Sequence, residues 1–168
     1  MLGLRRRENG LVRDKVLDEI IAIKNTIKCV LDRNLLGVLA TQLDGQPHAS
    51  LIAFTPLEYY KFIAFATFRN TLKYRSIQKD SRVAILVEDR NCPDKDLNKQ
   101  LVITAVGEVV KIPDENKRFY LRMHLERHPH LENFLTSPEC ELVIVSVRAY
   151  QVVKDIDDVQ WYSIEQLE

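Results

Sequence analysis

Residues 61–79, KFIAFATFRNTLKYRSIQK, change their pattern halfway along, and the local fold depends on this change. As far as Thr67, bulky and small apolar residues alternate, which predicts a strand. Beyond it, Leu72, Ile77 and the polar residues around them suit a short helix. The segment 67–73 is therefore predicted to be a strand-to-helix turn.

This turn carries the residue types that hold a phosphate. Asn70 or Thr71 can cap the helix, and the other first-turn N–H groups then point outward at the positive end of the helix dipole. Arg69 can donate two parallel hydrogen bonds to a phosphate, Lys73 adds a compact charge, and the Thr67 and Thr71 hydroxyls add donors. An ordinary capped surface helix with scattered basic residues explains the same pattern, so the turn alone leaves both interpretations open.

The elements around the turn follow from hydrophobic spacing and from turn residues. Apolar residues at steps of three and four predict an amphipathic helix over about 10–31. Asp44-Gly45 predicts a tight hairpin turn, and Pro56 is expected to end or bend the strand that follows it. Gly107 indicates a bulge or a close approach inside a later strand. The predicted strands are Leu35–Thr41, Gln46–Thr55, Lys61–Thr67, Arg82–Glu88, Gln100–Ile112, Cys140–Val147 and Tyr150–Lys154.

Two further helices are predicted, one near 70–79 and one from Pro113 to about Leu135 that Pro129 breaks, and residues 89–99 form a polar loop. Six or seven short strands with hairpin signals predict an α+β fold dominated by β structure. The strands would form a closed or partly closed antiparallel barrel with peripheral helices. No linker or repeat divides the chain, which predicts a single domain over 1–168 with the barrel at about 35–155.

The composition limits the classes of function. The chain has 24 Lys+Arg and 24 Asp+Glu, so neither nucleic acid nor a membrane is an expected partner. Residues 59–79 nevertheless hold five basic residues and no acidic one, which fits a site for an anion. Three cysteines without a C-x-x-C spacing predict neither a disulfide framework nor a zinc knuckle. No signal-peptide core or membrane span is recognised, and a cytoplasmic location is expected.

Three histidines are weighed as functional candidates. His124 and His128 lie four residues apart on a predicted helix, as in many zinc sites, but a third ligand such as Cys140 would have to come from elsewhere. The H-E-x-x-H pattern is absent, so a partly exposed helix end is favoured and no metal is predicted. His48 could donate a proton to a substrate, although its place beside the hairpin turn favours a surface residue.

Three motifs follow one another in this chain: GQPHASLI at 45–52, FATFRNTLK at 65–73 and SRVAIL at 81–86. Their order and spacing resemble the pyridoxamine 5′-phosphate oxidase-like family of FMN-binding split-barrel flavoproteins. The matching region covers roughly residues 35–112. The resemblance implies a six- to seven-stranded antiparallel split β-barrel with peripheral helices. It also implies a homodimer that holds FMN in the groove between the subunits.

Carried over position by position, the resemblance implies two groups of FMN contacts. Lys73 and Thr71 would hold the phosphate, and Thr67 and Ala66 would lie under the ribityl chain and the ring edge. The full group at this turn is Ala66, Thr67, Arg69, Thr71, Leu72 and Lys73. The second group would run along the isoalloxazine and offer backbone N–H and C=O groups: Ala49, Ser50, Leu51 and Ile52. An interior strand of small and aliphatic residues needs no ligand, so this second assignment rests on position alone.

The chain departs from the oxidases proper at the positions that grip their substrate. His48 or Ala49 stands where those enzymes have an arginine, and Leu101-Val102 replaces an Arg-Gln pair. Trp161 is followed by Tyr-Ser-Ile, without the Arg-x-His type of motif that the oxidases carry. The resemblance therefore implies a divergent relative that keeps the flavin and not the pyridoxal-phosphate substrate.

Three functions fit these observations. The first is an FMN-dependent oxidoreductase that passes electrons or hydride between a reduced nucleotide and a small acceptor. The second is a non-catalytic flavin carrier or sensor, and the third keeps the fold but uses the deazaflavin F420 or haem. No catalytic residue is assigned, because in such proteins the flavin supplies the redox chemistry.

Overall fold

The computed structural model describes residues 2–89, 101–155 and 158–168, without the side chains of residues 2–14 and 155. The strands are β1 (Leu36–Leu43), β2 (Gln46–Leu57), β3 (Phe62–Phe68), β4 (Arg82–Asp89), β5 (Leu101–Val110), β6 (Cys140–Asp155) and β7 (Asp158–Ser163). The helices are α1 (Leu2–Arg33), α2 (Leu72–Lys79), α3 (Asp114–Arg127) and α4 (Glu132–Leu135). No helix in these described segments is both long and apolar enough to span a lipid bilayer.

The strands form one antiparallel sheet that closes on itself. Their order is β3-β2-β1-β4-β5-β6-β7, and a further pairing of β3 with β6 closes the first six strands into a barrel. β7 pairs with β6 outside this ring. The predicted split barrel of six or seven antiparallel strands is therefore confirmed. Closure leaves few free strand edges, which is how such barrels avoid pairing with other chains.

The barrel interior is the main hydrophobic core. Period-2 alternation sends one side chain in two inward along each strand, and Leu39, Phe54, Phe65, Ile85 and Tyr150 are fully buried there. One face of α1 packs against this core through a further set of buried residues: Ile23, Ile27, Val30 and Leu31. The amphipathic helix predicted over 10–31 is thus confirmed, although it begins earlier, at Leu2.

The strand break predicted after Val147 is wrong, and so is the strand end predicted at Thr55. The strands predicted at 140–147 and 150–154 are one continuous strand, β6. Its pairing with β5 shifts at Val106/Gly107, so that Arg148 has no partner opposite it and is accommodated as a bulge. Pro56 does not end β2. The pairing of β2 with β1 stops at Ala53, so the edge of β2 on that side is free at Pro56, and a residue without an N–H group is tolerated there.

The remaining predictions have mixed outcomes. Asp44 and Gly45 both have positive φ in the turn between β1 and β2, as predicted. The helical region after Pro113 divides at Pro129 into α3, a short turn and α4. β7 was not predicted at all. The predicted loop at 89–99 lies, from residue 90 onward, outside the described residues.

We expect Gly107→Ala to destabilise the fold strongly. A Cβ at this position would lie 2.1 Å from the Ser146 carbonyl oxygen, and backbone cannot rotate away as a side chain can. Overpacking of this kind costs about 3 kcal/mol, which urea unfolding would measure as a lower free energy of unfolding. Gly37→Ala is the matched control, since its Cβ would meet neighbours only at 3.2 Å. Equal losses for the two variants would contradict the proposed cause.

Candidate functional site

The barrel opens between β2 and β3. These strands pair only over Phe54–Leu57 and Phe62–Phe65, whereas β3 pairs with β6 along its whole length. Residues 46–53 of β2 therefore pair with β1 on one edge and with no described strand on the other. Backbone N–H and C=O groups along that second edge are available to a ligand, because a ladder does not use them.

The turn from β3 into α2 is built as the sequence predicts. Thr71, and not Asn70, caps α2: its Oγ1 accepts a hydrogen bond from the Tyr74 N–H at 3.3 Å and donates to the Phe68 carbonyl at 2.8 Å. The Thr67 hydroxyl lies 2.9 Å from that of Thr71. The cap leaves the first-turn N–H groups of Leu72 and Lys73 without a protein acceptor among the described residues.

The two cations of this turn have different surroundings. Lys73 is half-buried and has no ion-pair or hydrogen-bond partner in the described parts of the chain. The Arg69 guanidinium instead lies 2.7 Å from the Glu141 carboxylate and also donates to the Pro138 carbonyl. Lys73 is therefore the cation available to an anion, whereas Arg69 is already neutralised.

Glu141 shares its carboxylate between Arg69 and a second cation, Lys117. Partial burial acts to raise the pKa of Glu141, but the hydrogen bonds from Lys117 and Arg69 outweigh it and hold that pKa below its ordinary value. The carboxylate therefore stays ionised at neutral pH.

Strand alternation separates the four predicted residues of β2. Ala49 and Leu51 point to the outer face, where the Leu51 side chain is 66% exposed. Ile52 points into the core and is buried, and Ser50 is half-buried with its hydroxyl 3.3 Å from Nδ1 of His48. The Ile52 side chain therefore does not face the opening, although its backbone lies on the strand edge that does.

The outer face of β1, β2 and β4 is apolar and exposed. Val38 pairs with Leu51 on one side and with Leu86 on the other, so these side chains form a continuous row across three strands. The exposed fractions are 53% for Leu36, 39% for Val38, 66% for Leu51 and 41% for Leu86. A row of large aliphatic side chains on a sheet face marks an interaction surface more often than a solvated one.

His124 and His128 are fully buried, so the prediction of a partly exposed helix end is wrong. Nδ1 of His124 lies 2.8 Å from the Thr55 hydroxyl, and Nε2 of His128 lies 2.8 Å from the Phe54 carbonyl oxygen. Both imidazoles thus attach α3 to β2. Tyr120, which is also buried, precedes them at the same four-residue spacing, and this periodicity is the signal that could have revealed their burial.

The surroundings of the two histidines favour the neutral imidazole. Burial is the largest cause, and the nearby His128 and Arg127 add to it, so that the pKa of His124 falls to about 4. Burial also lowers the pKa of His128, partly offset by its bond to Phe54. No group of three or more potential metal ligands occurs among the residues that the structure describes.

Comparison with known proteins agrees with this architecture. The family model for pyridoxamine 5′-phosphate oxidase matches residues 23–154. No curated protein sequence matches the chain.

Solved structures share the fold at low sequence identity. A haem-binding protein from Mycobacterium smegmatis has a TM-score of 0.77 at 14% identity; the match covers 86% of this chain but only 59% of that one. A Clostridium acetobutylicum protein related to general stress protein 26, of the pyridoxinephosphate oxidase family, has a TM-score of 0.64 at 12% identity. The match covers 89% of this chain and 96% of that one. A protein described as an F420 reductase has a TM-score of 0.54 at 24% identity. The match covers 73% of this chain and 94% of that one.

These structures are all less than 25% identical to this chain, so they support its fold alone. The family model covers most of the chain, and the three sequence motifs lie inside the matched region. The chain belongs to the pyridoxamine 5′-phosphate oxidase-like family, as a divergent member.

Proposed function

We propose that this protein is a homodimeric FMN-binding oxidoreductase, which passes electrons or hydride between a reduced nucleotide and a small acceptor. The observation that carries the proposal lies at the end of β3, where β2 and β3 part. Among the described residues, neither the Lys73 side chain nor the helix N–H groups of Leu72 and Lys73 have a partner there. Such a turn binds a phosphate, and the unpaired strand edge beside it suits the polar rim of a planar ring.

The residues at the turn fit the phosphate end of FMN, with two changes in the expected roles, those of Thr71 and Arg69. Lys73 and the N–H groups of Leu72 and Lys73 would hold the phosphate, and Thr71 would maintain the cap that leaves them free. Arg69 would act indirectly, because it is held by Glu141. Ala66 and Thr67 lie near the end of β3, beyond the residues that pair with β2, so they would lie under the ribityl chain.

The apolar outer face of β1, β2 and β4 supports the dimer. Leu51 lies on that face while its neighbours Ser50 and Ile52 turn inward, so one strand would contact a second copy and the flavin ring together. The partner would then close the open side of the ring site, as a site between subunits requires. Exclusion of water there strengthens the interactions that set the flavin potential.

Bound flavin supplies hydride and electron transfer, and the chain supplies binding, orientation and electrostatics. The structure assigns no general acid or base, and the proposal does not need one. His124 and His128 are buried between α3 and β2, and each uses one ring nitrogen in a contact with β2.

Purified protein and an FMN titration test the proposal. If the protein retains its flavin on purification, we expect absorbance at about 450 nm with close to one flavin per chain. If the purified protein is colourless, we expect it to quench the fluorescence of added FMN stoichiometrically. Steady oxidation of NADH or NADPH in the presence of an acceptor would separate an enzyme from a carrier. A colourless protein that fails to bind FMN would refute the flavin, and titration with F420 or haem would then identify the cofactor.

We expect Leu51→Asp to convert the dimer to a monomer. A carboxylate placed in a dry interface without a partner costs about 3 kcal/mol or more, and a symmetric dimer carries it twice. Sedimentation at equal protein concentrations would measure the change in mass. Phe119→Asp is the control, because Phe119 is 50% exposed on α3 and does not belong to the row of side chains on β1, β2 and β4. A wild-type monomer that binds FMN tightly would contradict the interface.

A further inference from the structure

A cavity lies at the opposite end of β3 from the turn at residues 67–73. β3 has seven residues, so its two ends are separated by about 20 Å. The cavity has a volume of about 370 Å³, within the range of about 300–1,000 Å³ that small-molecule sites occupy. α1, the turn between β2 and β3, β6 and the turn after β7 form its walls. None of the proposed FMN contacts lines it.

The lining combines cations with aromatic and aliphatic surface. Lys24, Lys28 and Lys61 contribute ammonium groups, and Tyr59 and Tyr60 contribute aromatic rings. Tyr150 and three aliphatic side chains complete the apolar part: Ile27, Ile164 and Leu167. This combination suits a planar molecule that carries a carboxylate or another anionic group.

The turn that forms one wall has an unusual backbone. Glu58, Tyr59 and Tyr60 have φ angles of 45°, 54° and 68°, a region that side chains other than glycine rarely adopt. Three consecutive residues in this region persist only where surrounding contacts impose the conformation, and such segments occur preferentially at binding sites.

Tyrosine side chains impose the conformation here. The Tyr150 hydroxyl, from the core, donates to the Tyr60 carbonyl at 2.5 Å, and the Tyr120 hydroxyl donates to the Glu58 carboxylate. The Tyr60 hydroxyl donates to Asp32, which also pairs with Lys28. Held from both ends, the turn presents Tyr59 at the cavity with 91% of its surface exposed. The fold thus holds the backbone of an exposed aromatic residue at the rim of the cavity.

A residue of the protein itself, Glu168, already contacts two of these lysines. The Glu168 carboxylate lies 2.5 Å from Nζ of Lys61, and Nζ of Lys24 donates to the Glu168 carbonyl oxygen at 3.2 Å. Glu168 and the Lys61 side chain are each about half exposed, so this contact is weak and easily replaced. The contact shows which chemistry the cavity accepts.

We propose that this cavity is a second binding site, for a small planar aromatic carboxylate, which displaces Glu168 from Lys61 and Lys24. The ring of the ligand lies against Tyr59 and Tyr60, and its carboxylate takes the place of the Glu168 side chain. Lys28 remains with Asp32 and supplies a nearby positive field rather than a direct contact. The site is independent of the flavin, and the proposal does not rest on FMN binding.

Calorimetric titration of the full chain with 2-naphthoate and with its neutral analogue 2-naphthamide tests the site. We expect one saturable naphthoate site per chain and binding of naphthamide that is about tenfold weaker, the loss expected when a charge-assisted hydrogen bond is removed. Naphthoate affinity should be the same with and without added FMN, and unchanged in Lys73→Ala, which excludes binding at the phosphate turn.

Two variants with opposite expected effects make the test specific. Glu168→Gln removes the competing carboxylate and should tighten naphthoate binding about threefold or more, whereas Lys24→Gln/Lys61→Gln should weaken it about tenfold. Lys15→Gln, an exposed lysine of α1 away from the cavity, should change nothing. The proposal is overturned by an absence of saturable binding, by equal affinity for naphthoate and naphthamide, or by Glu168→Gln leaving the affinity unchanged.

Discussion

Lys73→Ala is expected to weaken FMN binding about 30-fold, or by about 2 kcal/mol, because it removes the unpaired cation beside the phosphate. The protein's affinity for riboflavin, which lacks the phosphate, should not change. Fluorescence titration with both flavins measures the difference within one variant. This comparison separates loss of a phosphate contact from general damage to the site.

Two further variants locate the effect within the turn. Lys79→Ala removes a cation from the other end of α2, where it pairs with Asp44, and should leave both flavin affinities unchanged. Arg69→Ala should weaken FMN binding less than Lys73→Ala does, because the Arg69 side chain is paired with Glu141. An Arg69→Ala variant that loses more affinity than Lys73→Ala would show that Arg69 leaves Glu141 to bind the phosphate.

Acidification is expected to destabilise the fold by about 3 kcal/mol through His124 alone. The pKa of this buried imidazole falls from 6.5 to about 4 on folding, so the unfolded chain binds the proton more tightly than the folded one. The contribution of the neutral imidazole to stability is therefore complete above about pH 6.5. It decreases as the pH falls and is lost by about pH 4.

Urea unfolding of the wild type and of His124→Asn, at pH 7 and at pH 4, measures this contribution. Asparagine preserves a neutral donor near Thr55, so the difference in stability between the two pH values should shrink by about 3 kcal/mol in the variant. His130→Asn changes an exposed histidine of the following turn and serves as the control. An unchanged pH dependence in His124→Asn would show that other groups, such as carboxylates, cause the acid sensitivity.

The sequence predicted the barrel because its strands have local signals. Asp44-Gly45 identifies the first hairpin, and the change of period after Thr67 identifies the strand that leads into α2. Gly107 was predicted to mark a bulge or a close approach, and the structure shows both. The cause is a residue of β6 without a partner, which lies about 40 residues away and has no local signal. Local chemistry therefore predicts elements better than it predicts how long a strand continues.

The candidate site was predicted less completely. The cap at Thr71 was among the alternatives, and the resemblance named the turn that the structure builds. The ion pair between Arg69 and Glu141 was not foreseen, because it joins positions about 70 residues apart that meet only when β3 pairs with β6. The burial of His124 and His128 likewise depends on how α3 docks on β2, which spacing on one helix does not specify.

Closure of the barrel by the pairing of β3 with β6 also affects how the chain folds. Phe62 pairs with Ser146 and Phe68 with Cys140, whereas β1 and β2 are joined by a two-residue turn. Contacts between distant positions pay a larger loop-closure entropy, so they form late and slow the reaction. The hairpin of β1 and β2 is therefore expected to form early, and the β3–β6 seam to close near the end. Until that step, two long strand edges stay open to pairing with other chains, which makes refolding at high concentration prone to aggregation.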